Sequence, residues 1–283
     1  MATYDQYSAK ADKARARAVA ATESPFTIEV RFIGGLTAKQ KAAFKQAADR
    51  WTRVIVGDLP SVRVDNEVID DVLILAQGSA IDGPGRILGQ AGPTRLRPAS
   101  AGKAAFLPAK GIMAFDTADL KKMETNKTLN DVITHEMGHV LGIGTIWDTK
   151  GLLKNGGSSN PTFAGKAAMA EYKLLRGATR ARQVPVENTG GPGTADGHWR
   201  ETVFRNELMS GFVAVADNPL SRLTAASLGD LGYEVDLDAA EPYGLPNLMM
   251  LAEAGELAPH DAANDRGVVL PNIPILLPDD SLV

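Results

Sequence analysis

The chain has 283 residues, of which 44% are apolar and 23% charged, with a net charge of −4 and no cysteine. This composition predicts a soluble globular protein with room for one large domain or two smaller ones. It excludes disulfides and cysteine nucleophiles, and it gives no sign of nucleic acid as a partner. Since neither a membrane span nor a secretory signal is visible, we expect a cytoplasmic protein or one secreted by a signal-independent route.

The first half of the chain predicts a mixture of strands and helices. Residues 1–24 are expected to be a mobile N-terminal arm, and the alternating stretch 26–32 predicts a strand. Thr37 and Gln40 form a capping box that begins a long helix with an apolar face up to Ile55. Further strands are expected at 62–64, 71–77 and 111–115, an edge strand or irregular hairpin at 86–97, and a short helix at 117–123.

The next helix carries the pattern HExxH. Thr128 and Asp131 resemble a capping box at its start, and its apolar residues cover one broad face. His135 and His139 are four residues apart and lie on one side, so both imidazoles can bind one zinc ion while Glu136 holds the attacking water. The bare pattern also occurs by chance on surface helices with solvated histidines.

An open zinc site needs a third protein ligand. Gly142 ends the helix, as in the compact pattern HExxHxxGxxH, but Thr145 occupies the position of the last histidine. Two candidates remain: His198, which lies 59 positions after His139, and Glu171 on a predicted helix over 166–176. The remaining histidine, His260, is assigned no role.

The motifs HEMGHVLGIG, GHW and NELMSG together resemble the leishmanolysin family of metzincin peptidases, with a loose match over residues 26–245. The resemblance implies that His135, His139 and His198 bind zinc, that Glu136 is the general base and acid, and that Met209 is the methionine of the turn beneath the metal. Unlike that family, the chain has no cysteine and no visible anchor.

By the same resemblance, the fold class is α+β, a metzincin-like zincin fold. A twisted mixed β-sheet with two long helices would lie above the cleft in an upper subdomain (25–144). A smaller, irregular and helical lower subdomain (145–245) would follow, and then a Pro-rich C-terminal tail (246–283). By analogy, the strand over 86–97 would pair with an extended substrate.

The predicted function is zinc-dependent endopeptidase, with one catalytic zinc ion, protein or peptide substrates and a monomeric state. Two alternatives remain: a zinc-stabilised binding or adhesion module without turnover, and a peptidase inhibited by its own tail, although a tail packed on the lower half is preferred. Calcium is possible but unsupported by any motif. Its candidate ligands would be Asp148, Asn155, Asn160 and Asp196.

Overall fold

The computed structural model of the protein describes residues 4–85, 87–213, 217–253 and 268–283. The strands are β1 Asp5–Lys10, β2 Thr27–Gly34, β3 Val62–Val64, β4 Glu67–Ile69, β5 Val72–Ser79, β6 Ile87–Leu96, β7 Pro108–Asp116, β8 Leu153–Lys154, β9 Thr162–Phe163, β10 Val184–Pro185, β11 Val268–Pro271 and β12 Ile275–Leu276. The α-helices are α1 Lys13–Ala20, α2 Ala38–Val54, α3 Thr117–Asn126, α4 Leu129–Val140, α5 Lys166–Leu175, α6 Glu201–Phe204, α7 Arg222–Leu231 and α8 Leu248–Glu253.

A mixed sheet forms the upper half of the described chain, in the order β1-β2-β5-β7-β6-β11, with β12 also paired to β6. Strands β2, β5 and β7 run parallel, and β1 and β6 run antiparallel to their neighbours β2 and β7. The central strand β5 is almost continuously apolar because it lies between two other strands and is covered by the core. The chain is therefore an α+β protein with a mixed sheet, as predicted.

Helices α2 and α4 pack against this sheet and against each other. Helix α2 begins with the predicted capping box, in which Thr37 and Gln40 each bond the other's backbone. Its buried face includes Trp51, whose indole N–H donates to the carbonyl of Thr134 on α4 at 2.9 Å. Close approach of α4 to the sheet depends on Gly111 in β7, where a Cβ would lie 2.4 Å from Val140.

The start of α4 differs from the sequence prediction. The helix begins at Leu129 as expected, but the Thr128 side chain makes no capping hydrogen bond. The Asp131 carboxylate contacts Arg50 of α2 at 3.4 Å and accepts a hydrogen bond from the Asn218 side chain at 3.0 Å. Because its carboxylate is engaged in tertiary contacts, Asp131 does not complete a capping box.

The lower half is built from α5, α6, α7 and a small sheet of order β10-β9-β8. Its core continues that of the upper half without a break. At its centre Trp199 is fully buried and stacks at a tilt on Trp147, with Phe163 and Phe204 at its edges. This aromatic cluster holds the segment around residue 199 beneath α4.

Both chain ends differ from expectation. The predicted mobile arm instead forms β1, which pairs with β2 from Asp5 to Lys10, and α1, which begins with an Asp12 cap. The described end of the tail, residues 268–283, lies on the upper half, where β11 and β12 pair in parallel with β6, and packing on the lower half was expected. Strand β6 is therefore continuous and covered on its outer edge, where an edge strand or hairpin open to substrate was expected.

Arg97, directly after β6, is fully buried and ties several loops together. Its guanidinium donates hydrogen bonds to four backbone carbonyls, those of Pro60, Asp70, Asp71 and Pro108. A guanidinium has five donors and no acceptor, so carbonyl oxygens are suitable partners. The loops before β5 and β7 are fixed by this one side chain.

Over the part of the chain that the structure describes, no helix combines the length and apolarity that crossing a bilayer requires.

Candidate metal centre

Three histidines converge beneath helix α4. His135 and His139 project from one side of the helix, and His198 approaches from the loop before α6. Their Nε2 atoms lie 2.9 to 3.1 Å from one another. The structure thus brings together the three histidines named from the sequence, across a separation of 59 positions for the last.

Each imidazole is oriented by a backbone carbonyl on its other nitrogen. Nδ1 of His135 faces the carbonyl of Leu208 at 2.6 Å, that of His139 faces Ile143 at 2.8 Å, and that of His198 faces Thr194 at 2.8 Å. A carbonyl only accepts, so each Nδ1 carries the proton and each Nε2 presents a bare lone pair in the neutral ring.

Burial keeps the three rings neutral. All three side chains are buried, and this burial lowers the pKa of each histidine to about 3, with a smaller contribution from a neighbouring imidazole. The carbonyl hydrogen bonds oppose the shift without reversing it. Neutral imidazole is the form that binds metal ions.

The arrangement fits a metal ion. Three bare lone pairs lie about 3 Å apart with no proton between them, which is an unfavourable arrangement unless a cation occupies their centre. Nitrogens bound tetrahedrally to zinc at about 2.0–2.1 Å stand about 3.3 Å apart, close to the observed spacing. The three histidines form one of two groups of metal-ligating side chains among the described residues. The other, Asp58, Asp70 and Asp71, is largely exposed.

Glu136 lies next to this cluster in the helix and is 7% exposed. Its Oε2 has no hydrogen-bond partner within the described chain. Burial raises the pKa of Glu136 to about 8. A buried carboxyl group with a free oxygen and a pKa near neutrality is suited to proton transfer.

The chain after α4 explains how His198 reaches the site. Gly144 has φ +74, and a Cβ on it would lie 2.0 Å from the carbonyl oxygen of Gly197. Only glycine permits this approach. Thr145, at the position of the missing histidine, donates its hydroxyl to the carbonyl of His139 at 2.8 Å and so caps the end of the helix. The loop before α6 therefore supplies the third imidazole, which position 145 lacks.

The turn from Glu207 to Gly211 packs under α4. Met209 is fully buried, and a Cβ on Gly138 of α4 would lie 2.8 Å from its sulfur. The preceding carbonyl, of Leu208, is the one that orients His135. The backbone N–H of Trp199 donates to the carbonyl of Met209 at 2.9 Å, which joins the turn to the histidine loop.

The alternative ligand, Glu171, is not near the three histidines. It is buried on α5 and pairs with Arg222 of α7 at 3.2 Å. It is not on a solvated face of the helix, because α5 packs on α7 through this face. His260 lies outside the described residues.

Two of the four residues considered for calcium have side-chain partners in the protein. Asp196 accepts the backbone N–H of Gly157 at 2.8 Å, and Asn160 accepts from Arg200 at 3.0 Å. These contacts close the loops around residues 155–160 and 196.

Two buried carboxylates near the site were missed by the sequence reading. Glu187 accepts the backbone N–H groups of Asn188, Thr189 and Glu201, and its own N–H donates to the carbonyl of His198. Glu207 accepts a hydrogen bond from the backbone N–H of Met209. The position of Glu207 within the NELMSG motif was a signal, whereas nothing in the local sequence distinguishes Glu187 from an exposed loop residue.

The family is decided by comparison with known proteins. The sequence model of the family described as Leishmanolysin matches residues 103–248, which is half of the chain and includes the three histidines, Glu136 and Met209. The chain belongs to the leishmanolysin family.

Its relatives include leishmanolysins of two Leishmania species. That of Leishmania chagasi is 28% identical over 147 residues, which are 48% of this chain and 24% of that protein. That of Leishmania major is 29% identical over the same shares. A leishmanolysin homolog of Crithidia fasciculata is 28% identical over 133 residues, 44% of this chain and 20% of that protein. The matched region thus spans about a quarter of the length of these relatives.

Proposed function

We propose that this protein is a zinc-dependent endopeptidase with a metzincin-like arrangement. The observation that carries the proposal is the convergence of three neutral imidazoles beside a buried carboxyl group. His135, His139 and His198 would hold zinc, and Met209 would form the floor beneath it. The substrate would lie between the upper part (25–144) and the lower part (145–245).

Each part of the site would then have its own role in peptide hydrolysis. Bound zinc would polarise the scissile carbonyl and acidify a water molecule. Glu136 would accept the proton of the attacking water and transfer it to the leaving amine, a role that its position next to His135 and its unpartnered Oε2 support. The carbonyls behind the imidazoles would keep their Nε2 lone pairs directed at one point throughout.

Glu136→Gln tests this mechanism. The variant should retain zinc in metal analysis and lose cleavage of an unfolded protein substrate by at least about 100-fold, since only the proton acceptor is removed. His198→Ala should lose zinc, and Glu171→Ala should keep it. Cleavage by Glu136→Gln at the rate of the parent would refute the mechanism. Full zinc occupancy in the parent with no cleavage in a broad peptide screen would favour the non-catalytic binding module.

One observation favours a second candidate, a peptidase inhibited by its own tail. By analogy with metzincins, an extended substrate would pair with β6, but β11 and β12 already pair with that edge. The end of the tail is anchored, because the N–H of Leu277 donates to the carbonyl of Leu96 at 2.9 Å. Release of these strands would then precede substrate binding.

Proline substitutions test whether the tail strands paired with β6 inhibit the peptidase. Ile275→Pro removes a backbone N–H from β12, where Ile275 pairs with Arg95. Ile273→Pro is the matched control, because Ile273 is 97% exposed between the two strands. Higher activity in Ile275→Pro alone supports inhibition by the tail. Equal activity in both variants and the parent leaves the tail as a structural edge of the sheet.

A further inference from the structure

Glu207 is a fully buried carboxylate at the junction of the Met209 turn and helix α7. Its Oε2 accepts the backbone N–H of Met209 at 2.6 Å. Its Oε1 accepts the hydroxyl groups of Ser221 and Thr224, each at 2.6 Å, and the backbone N–H of Ser221 at 3.2 Å. Ser221 is the N-cap of α7, so the carboxylate also lies at the positive end of that helix dipole.

Burial raises the pKa of Glu207, whereas the direction of each hydrogen bond around it favours the ionised form. The indole N–H of Trp199 can only donate, and it donates to the Thr224 oxygen at 2.8 Å, so the Thr224 proton is left for Glu207. The Ser221 oxygen accepts the N–H of Thr224 at 3.3 Å, so its proton also goes to Glu207. Four donors therefore face this side chain, and an ionised carboxylate, which only accepts, satisfies them all.

Two chains of contacts lead from Glu207 to the histidines. The first passes through the turn, because the bond to Met209 N–H fixes the peptide whose Leu208 carbonyl orients His135. The second passes through Thr224 to the indole of Trp199, the residue next to His198. The backbone N–H of Trp199 also donates to the Met209 carbonyl, so both series of contacts meet at the same turn.

We infer that Glu207 is the positioning residue of the metal centre, which sets the orientation of His135 and His198 without touching the metal. This inference rests on the proposed zinc site. It assigns the buried charge a role in metal binding beyond the stability of the lower half. Contacts behind metal ligands typically change metal affinity by about 10- to 100-fold when they are removed.

Glu207→Gln tests the inference with zinc affinity, measured by competition with a chelator, and with the visible spectrum of the Co²⁺-substituted protein. Glutamine keeps the shape of the side chain, but its NH₂ group must face one of the donors. We expect zinc affinity to fall about 10-fold or more and the Co²⁺ bands to change. Asp116→Asn is the control, because that buried carboxylate likewise accepts backbone N–H groups, from Ile81 and Ala118, in the upper half.

The results separate positioning from stability. If Glu207→Gln and Asp116→Asn are both destabilised in urea and only Glu207→Gln loses zinc affinity, the inference is supported. If zinc affinity and the Co²⁺ spectrum of Glu207→Gln match the parent, or if both variants lose affinity equally, Glu207 is only structural. These outcomes do not depend on turnover, so a parent that binds zinc and cleaves nothing refutes the proposed peptidase and leaves this inference standing.

A milder variant keeps the inference testable if Glu207→Gln does not fold. Thr224→Val removes one acceptor from Trp199 and one donor from Glu207 and leaves the Met209 bond in place. We expect a folded protein whose zinc affinity is about fivefold lower, the effect of one hydrogen bond. Unchanged affinity in this variant would overturn the route through Trp199 to His198.

Discussion

We expect the free energy of unfolding of metal-free Glu136→Gln, taken relative to that of the metal-free parent, to be higher at neutral pH than at acidic pH. Burial raises the pKa of Glu136 from 4.5 to about 8. A carboxyl group with a raised folded-state pKa contributes stability that is complete below the unfolded pKa and is lost as the pH rises through the folded one. Glutamine does not ionise, so the variant does not suffer this loss.

The size of the effect follows from the two pKa values. At pH 7 the unfolded pKa of 4.5 lies 2.5 units below the pH, and at about 1.4 kcal/mol per unit the parent has lost about 3 kcal/mol. At pH 5 the loss is below about 1 kcal/mol by the same arithmetic. The stability of Glu136→Gln relative to the parent should therefore rise by about 2 to 3 kcal/mol between pH 5 and pH 7.

Urea unfolding of chelator-treated samples, followed by tryptophan fluorescence, measures this difference. The three tryptophans are buried, so their emission reports unfolding. A stability difference that is the same at pH 5 and pH 7 would refute the assignment of Glu136 as a desolvated carboxyl group. In the zinc-loaded protein the rise should shrink, because a nearby cation lowers the pKa of the carboxyl group.

Three further perturbations are predicted. Gly144→Ala should destabilise the protein in urea more than Gly151→Ala, because both have positive φ (+74 and +66) but only the first Cβ meets a carbonyl, at 2.0 Å; equal losses would contradict the close approach. The metal-free protein should lose stability as the pH falls from 6.5 towards 3, because the unfolded chain protonates three histidines whose folded pKa is about 3. His198→Gln should reduce that slope by about 1.4 kcal/mol per pH unit, and an unaltered slope would show that His198 is not held neutral. Arg97→Met should lower the free energy of unfolding in urea by at least about 3 kcal/mol, because several buried carbonyls lose their donor. The control Arg95→Met loses one bond to a neighbouring carbonyl and should lower it far less. Equal losses in the two variants would contradict the role of the buried guanidinium.

Residues that act within one turn of helix were readable from the sequence. The capping box of Thr37 and Gln40 forms as predicted, and the i, i+4 spacing of His135 and His139 puts both on one side of α4. Asp131 shows the limit of the same reasoning. It has the spacing of a capping residue, but an ion pair with Arg50 competes for its carboxylate, and no local pattern reveals a partner on another helix.

The N-terminal segment was hidden for a related reason. Alanine and charged residues from Asp5 to Ala20 have low strand propensity, so composition indicated an arm, yet β1 is formed by backbone pairing with β2. The tail gave the same difficulty at the other end, because pairing of β11 and β12 with β6 uses peptide groups that every residue carries. Strand partners are chosen by the assembled sheet.

The sequence by itself determined the chemistry of this protein: two histidines and a glutamate on one helix, a glycine that ends it, and motifs that match one family. It could also name His198, but only through resemblance, since a separation of 59 positions carries no geometric information. Tertiary structure decided the rest. Side-chain periodicity records which face of an element is buried and not what covers it, so only the packed chain could reveal the carbonyls behind each imidazole, the buried Glu207 and the strands that cover β6.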